Sequence, residues 1–327
     1  MSQDRPFDAV LIVAFGGPLG PAHVRPFLAN VLRGRRVPPH RVEEVAANYE
    51  LFGGVSPLTE ITQRQAAGLE QRLREAGLNL PVYVGMRNWH PFLADTLREM
   101  SERGHRRAIG LIAAAHHSYS SCQQYKENVR DARRELLARG LADVSVTYVD
   151  SWYDHPLFIE TIARHVSGAI DRLDPALRPA ARLVFTGHSL PRSLADKSRY
   201  VEQLTTSARL VAEQLGRTDW TLVYQSRSGL PTDPWLEPDI CDYLRTEHDK
   251  GLPAAVVVPI GFVCDHIEVL FDLDTQAARL CREIGLPMVR AETAGDDPLF
   301  IDMMADVVRQ TYERFRVFPP LPITAGS

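Results

Sequence analysis

Little in this chain points to a partner by charge. Lys and Arg total 37 against 41 Asp and Glu, a net −4 with His neutral. That near balance excludes a general pull toward nucleic acid or an anionic membrane and leaves only local clusters. Long apolar runs are also missing. The longest, 252–264, is interrupted by Pro253, Pro259 and Gly261 and is too short to span a bilayer. Near the start, Asp4, Arg5 and Asp8 flank an apolar run that ends at Gly16-Gly17-Pro18, which suits a first strand better than a secretory leader. A cytoplasmic protein without a membrane span is therefore expected. Only four cysteines (Cys122, Cys241, Cys264 and Cys281) occur in 327 residues, with no C-x-x-C pair. Their spacing argues against a disulfide framework and a structural zinc site, so buried free thiols are expected. Neither G-x-G-x-x-G nor G-x-x-x-x-G-K-[ST] is present, which disfavours nucleotide binding through a glycine-rich loop.

What is present is an alternation. Short β-branched runs predict strands at 9–15, 82–87, 108–114, 144–150, 182–187, 220–226, 254–260 and 288–292. Between them, amphipathic stretches predict helices at 62–76, 91–103, 121–139, 156–171, 196–215, 238–250 and 266–284. AVLIVAF and AAVVVPI are apolar nearly throughout, as strands of a parallel sheet covered on both faces must be. The two-proline stretch DRLDPALRPA falls between the fourth and fifth strands. The expectation is an α/β chain of two similar doubly wound domains with parallel sheets, 1–172 and 173–327, with a final helix at about 299–315 in the second. Ligands of such sheets bind beyond the carboxyl ends of the strands, so the residues following each strand carry the functional reading.

After the fifth strand comes Gly187-His188-Ser189. The imidazole there is either held by a backbone carbonyl or functional. After the seventh comes GFVCDHIEVLFDLD, 261–274. A helix beginning near Asp265 would use that residue as N-cap and would stack Glu268, Asp272 and Gln276 on one face. Acids near a helix N-terminus are explained by its dipole, but Asp272 and Asp274 lie past the first turn. His188 and Glu268 suit an open site for Fe(II), Zn or Co, or a pair that removes N–H protons. In the first half, Arg33, Arg35, Arg36 and Arg41 cluster before Tyr49, Phe52, Gly53, Gly54 and Ser56. That stretch is either a solvated basic loop or a carboxylate-recognising rim beside a flat pocket. His116-His117 makes a weak metal pair, because adjacent side chains diverge.

Together the segments AFGGP (14–18), FGGVSPL (52–58), YSSCQQY (119–125), DSWYDHP (150–156), TGHSLP (186–191), YQSRSG (224–229), PWLEPDI (234–240) and VPIGFVCDHIEVLFDLD (258–274) resemble the ferrochelatase family, most closely its bacterial coproporphyrin members. The resemblance implies two flavodoxin-like, chelatase-like halves with a porphyrin in the cleft between them, and insertion of Fe(II) with loss of two pyrrole protons. It carries metal and catalytic roles onto His188 and Glu268, and porphyrin contacts onto Ser56, Tyr125 and Tyr49. Phe15 stands where some relatives have a tyrosine beside the metal, and Phe15 and Arg33 complete the expected porphyrin-binding set. Asp272 continues an outer acidic row that Gln276 interrupts. Cys122 matches a position that relatives with a [2Fe–2S] cluster use, but no cysteine follows in the tail, so no cluster is expected and iron is a substrate. The short, arginine-rich loop at 33–41 favours the four-carboxylate coproporphyrin III over protoporphyrin IX. A transient contact with the next enzyme of haem synthesis is a further expectation. A non-catalytic tetrapyrrole carrier and a cobalt chelatase remain as other readings.

Overall fold

The computed structural model describes residues 5–34, 37–228 and 232–317; Arg35 and Arg36 of the basic loop lie outside the described residues. The chain divides into two compact units. Of the described residues, the first unit takes 5–113, 120–151 and 300–317, and the second takes 114–119 and 152–299.

The first unit holds β1 (Ala9–Ala14), β2 (Val82–Met86), β3 (Arg107–Ile112) and β4 (Ser145–Tyr148) in the order β2-β1-β3-β4. All pairings are parallel, with Val10 opposite Val82 on one side and Ile109 on the other. All six β1 residues are buried, as an apolar central strand requires. The second unit repeats this plan with β5 (Arg182–His188), β6 (Trp220–Gln225), β7 (Ala255–Val258) and β8 (Met288–Arg290), ordered β6-β5-β7-β8 and again wholly parallel. Phe185 is fixed opposite Leu222 and Val258. The core of this unit includes Val184, Val223, Leu244, Val257, Val269 and Leu273, all buried.

Four departures from the sequence reading have physical causes. Helices Pro21–Val31 and Pro39–Glu50 occupy the stretch before 62, each with proline in its first turn, where the missing N–H costs nothing. The last helix, Pro298–Val317, was expected with the second half, but from Phe300 onward it packs in the first unit. There Phe7 meets Tyr312 and Phe315 at ring separations of 6.4 and 5.6 Å, and Arg72 pairs with Asp302 at 2.7 Å. The helix expected at 266–284 is α-helical over Ile267–Val269 and Ala278–Ile284, with a π-helical segment, Leu270–Ala277, between. Finally, the position before this helix is His266, with no side-chain cap; Asp265 does not cap it but binds Arg290 and Thr293.

Candidate active site

In the β6-β5-β7-β8 order the chain leaves β5 toward one side and returns to the other, so the crevice falls at the carboxyl ends of β5 and β7. His188 is the last residue of β5, and Glu268 follows β7 on the helix that crosses this edge. Two glycines bring the strand exits together. A Cβ on Gly261 would sit 2.7 Å from Gly187 Cα, and Gly261 N–H donates to Thr186 O at 3.0 Å. Only glycine permits that approach.

Glu268 Oε2 stands 3.6 Å from His188 Nε2 and 3.4 Å from His266 Nε2. Each ring turns its other nitrogen to a carbonyl: His188 Nδ1 to Ser189 O, and His266 Nδ1 to Cys264 O at 3.2 Å. Carbonyls only accept, so each Nδ1 carries a proton and each ring turns its Nε2 toward the carboxylate. A proton on either Nε2 makes it a donor to Glu268, so the carboxylate is the counter-charge of whichever ring takes one up. Burial pushes the Glu268 carboxyl up, but His188 and His266 outweigh it and hold it well below the usual carboxylate range. Burial likewise lowers His266, while its hydrogen bond to Glu268 and that carboxylate's charge raise it by more. The side chains of His188 and Glu268 keep 31% and 45% of their surface in contact with solvent, so the pair is reachable.

Behind Glu268, Asp272 Oδ2 accepts from Ser226 Oγ and, at 3.4 Å, from Gln225 Nε2. Gln225 also donates to Glu268 O at 3.2 Å, tying the end of β6 to this helix. Ser226 holds φ 61, a conformation rare outside glycine, at the point where it meets Asp272. Burial raises the Asp272 carboxyl to about 6, with the Glu268 charge adding to it and Ser226 opposing. The structure therefore brings His188, Glu268 and Asp272 together, while Gln276 is exposed further along.

The ferrochelatase family profile matches residues 7–312. A ferrochelatase from Rhodopirellula baltica is 46% identical over 98% of this chain and 91% of its own length. A coproporphyrin III ferrochelatase from Streptomyces griseus is 46% identical over 95% of this chain and 88% of that protein. The chain belongs to the ferrochelatase family. Among solved structures, SirB from Bacillus subtilis with Fe3+ is similar in fold, with a TM-score of 0.58 at 13% identity over 97% of this chain and all of that one.

The first unit places the family's other candidate positions along its own sheet edge. Phe15 follows β1 and lies 6.2 Å from the Phe27 ring; Tyr49 meets the other side of Phe27 at 5.7 Å. Ser56 is buried against Gly17, where a Cβ would come within 2.6 Å of its own, and donates its N–H to Pro18 O at 2.9 Å. Tyr125 is buried at the start of helix Gln124–Ala138, and burial pushes its phenol far up despite nearby Arg87. Arg33 is exposed, donating to Asn30 Oδ1 at 2.7 Å. Phe15 and Tyr49 thus share the Phe27 ring and Ser56 packs on Gly17 just after Phe15, whereas Arg33 follows the end of helix Pro21–Val31.

Sequence reasoning noted His266 only as one ionisable group among five, and it missed Ser226 and Gln225. Their signal was the string YQSRSG, which carries no charged group until Arg227. The four cysteines are thiols, three of them buried. Among the described residues no cluster of three His, Cys, Asp or Glu side chains is disposed to hold a metal, and no helix is long and apolar enough to cross a membrane.

Proposed function

We propose that this protein inserts ferrous iron into coproporphyrin III, exchanging two pyrrole protons for one Fe(II) with no change of oxidation state. The carrying observation is the 3.6 Å approach of His188 Nε2 to Glu268 Oε2, both unprotonated at the facing atoms when the ring is neutral. A planar macrocycle hides its nitrogen lone pairs; binding that bends it exposes them, and contacts remote from the centre supply the strain. Ser56, Tyr125, Tyr49, Phe15 and Arg33 are the positions assigned to such contacts. His188 then accepts a pyrrole proton at Nε2 or offers that lone pair to iron, and Glu268 holds the resulting positive charge. His266 and Asp272, on either side of Glu268, provide the next proton acceptors.

Relatives named for coproporphyrin III, and the exposed guanidinium of Arg33, support the four-carboxylate substrate. The reading needs no resident cofactor and no iron–sulfur cluster, and places the protein in the cytoplasm with a transient hand-over of product to the next enzyme. Competition between coproporphyrin III and protoporphyrin IX for limiting protein tests the substrate. The expected result is faster metallation of coproporphyrin III; preference for protoporphyrin IX overturns that choice. Brown protein with visible charge-transfer bands after anaerobic purification would overturn the absence of a cluster.

A further inference from the structure

Asp272 lies on the π-helical segment Leu270–Ala277, wound with i→i+5 hydrogen bonds, which follows directly on the α-helical turn Ile267–Val269 that carries Glu268; π winding is rare. The winding matters for the site. Four residues are slightly less than one turn of a π-helix but slightly more than one turn of an α-helix, so a change of winding would rotate Asp272 relative to Glu268.

The support comes from β8. Arg290 is its last residue, its backbone set opposite Val257 of β7 by the parallel register. Its side chain, only 14% exposed, spends every N–H. Nε donates to Asp274 Oδ1 at 2.6 Å and Nη2 to Asp274 Oδ2 at 2.8 Å. Nη2 also reaches Asp265 Oδ2 at 3.1 Å, and Nη1 reaches Asp265 Oδ1 at 3.2 Å and Ala291 O at 3.2 Å. Thr293 Oγ1 adds a bond to Asp265 Oδ1 at 3.0 Å. Asp265 precedes His266 and Glu268, and Asp274 follows Asp272. One planar fork, anchored in the sheet, thus grips the chain on both sides of Glu268 and Asp272.

We propose that Arg290 is a positioning residue for metallation, a clamp that fixes the π-wound segment so that Glu268 and Asp272 keep their places beside His188. The proposal rests on the iron-insertion reading above. A lysine at this position would keep the charge but could not bind two carboxylates bidentately, so Arg290→Lys removes the geometry and leaves the electrostatics.

The test compares wild type with Arg290→Lys and Asp274→Asn by thermal unfolding, coproporphyrin III fluorescence titration and anaerobic Fe(II) insertion kinetics. The expected outcome for either variant is a kcat lowered about tenfold to a hundredfold, with porphyrin KM within about threefold and a folded protein. A kcat unchanged from wild type, or a fall in kcat matched by an equal loss of porphyrin affinity, overturns the clamp. Should Arg290→Lys fail to fold, Asp274→Asn decides by the same criteria, because it leaves the Asp265 limb and the buried guanidinium paired. Wild-type protein that does not metallate coproporphyrin III would remove the activity itself, an outcome distinct from failure of the clamp.

Discussion

At the scale of single residues, the site depends on which nitrogen of each histidine carries the proton. Ser189 O and Cys264 O hold Nδ1–H of His188 and His266, and so turn both Nε2 atoms on one carboxylate oxygen. Glu268→Gln removes the charge but little volume. It is expected to lower metallation by about a hundredfold or more while coproporphyrin binding, followed by fluorescence, stays within about threefold. A third histidine gives the molecule a pH sensitivity away from this site. His116 is 2% exposed and bonded to Ser207 Oγ at 2.9 Å; burial first, then His117, lower it to about 3 from 6.5. The unfolded chain binds a proton there that the folded chain refuses, so stability is complete above 6.5 and falls as pH drops toward 3. Over that window His116→Gln is expected to flatten the slope of unfolding free energy by about one proton, ~1.4 kcal/mol per pH unit. Denaturant titrations at pH 4, 5 and 6 (about one unit apart) measure it, and parallel wild-type and variant slopes contradict the assignment.

At the scale of elements, the close exit of β5 and β7 sets the distance between His188 and Glu268. Gly261→Ala forces a methyl against Gly187 Cα and Thr186 O, both backbone atoms that have no rotamer to yield. The expected cost is about 1–3 kcal/mol of stability, read as a lower unfolding midpoint, together with slower metallation as the two strand ends part. An alanine variant with wild-type midpoint and rate would show that the approach has no such role. Much at this scale was legible in the sequence. AVLIVA and AVVV could only be buried parallel strands, and the residues just beyond them, His188 and Glu268, stood where such sheets bind ligands. The π-wound segment was not legible, because a period of 3.6 already explains Glu268 and Asp272 on one face. Asp265 looked like an N-cap because its true partner, Arg290, lies on another strand, and no local pattern reports such a pairing. Pro21, Pro38 and Pro39, at helix starts that accept proline, and Pro26, inside the first of the two helices, obscured both.

At the scale of the whole molecule, two units with the same strand order have diverged in what their sheet edges carry. The first presents aromatic and small residues (Phe15, Tyr49, Ser56); the second presents two imidazoles and two carboxylates. The repeat was visible in the cadence of strands and helices, but the allocation of the last helix was not. Its apolar stripe is like that of any surface helix, and contacts made in space, Phe7 with Tyr312 and Phe315 and Arg72 with Asp302, assign it to the first unit. Phe7→Ala is accordingly expected to cost about 3–5 kcal/mol through the cavity it leaves under that helix. The measurement is the denaturation midpoint, and an unchanged midpoint would contradict the packing.

The most direct test of the account is anaerobic stopped-flow mixing of Fe(II) with the coproporphyrin III complex of wild type and His188→Ala, followed by loss of the free-base absorbance bands. The account predicts conversion to the iron porphyrin by wild type and a rate lower by about two orders of magnitude in the variant, at equal porphyrin occupancy. Equal rates in the two proteins would contradict it.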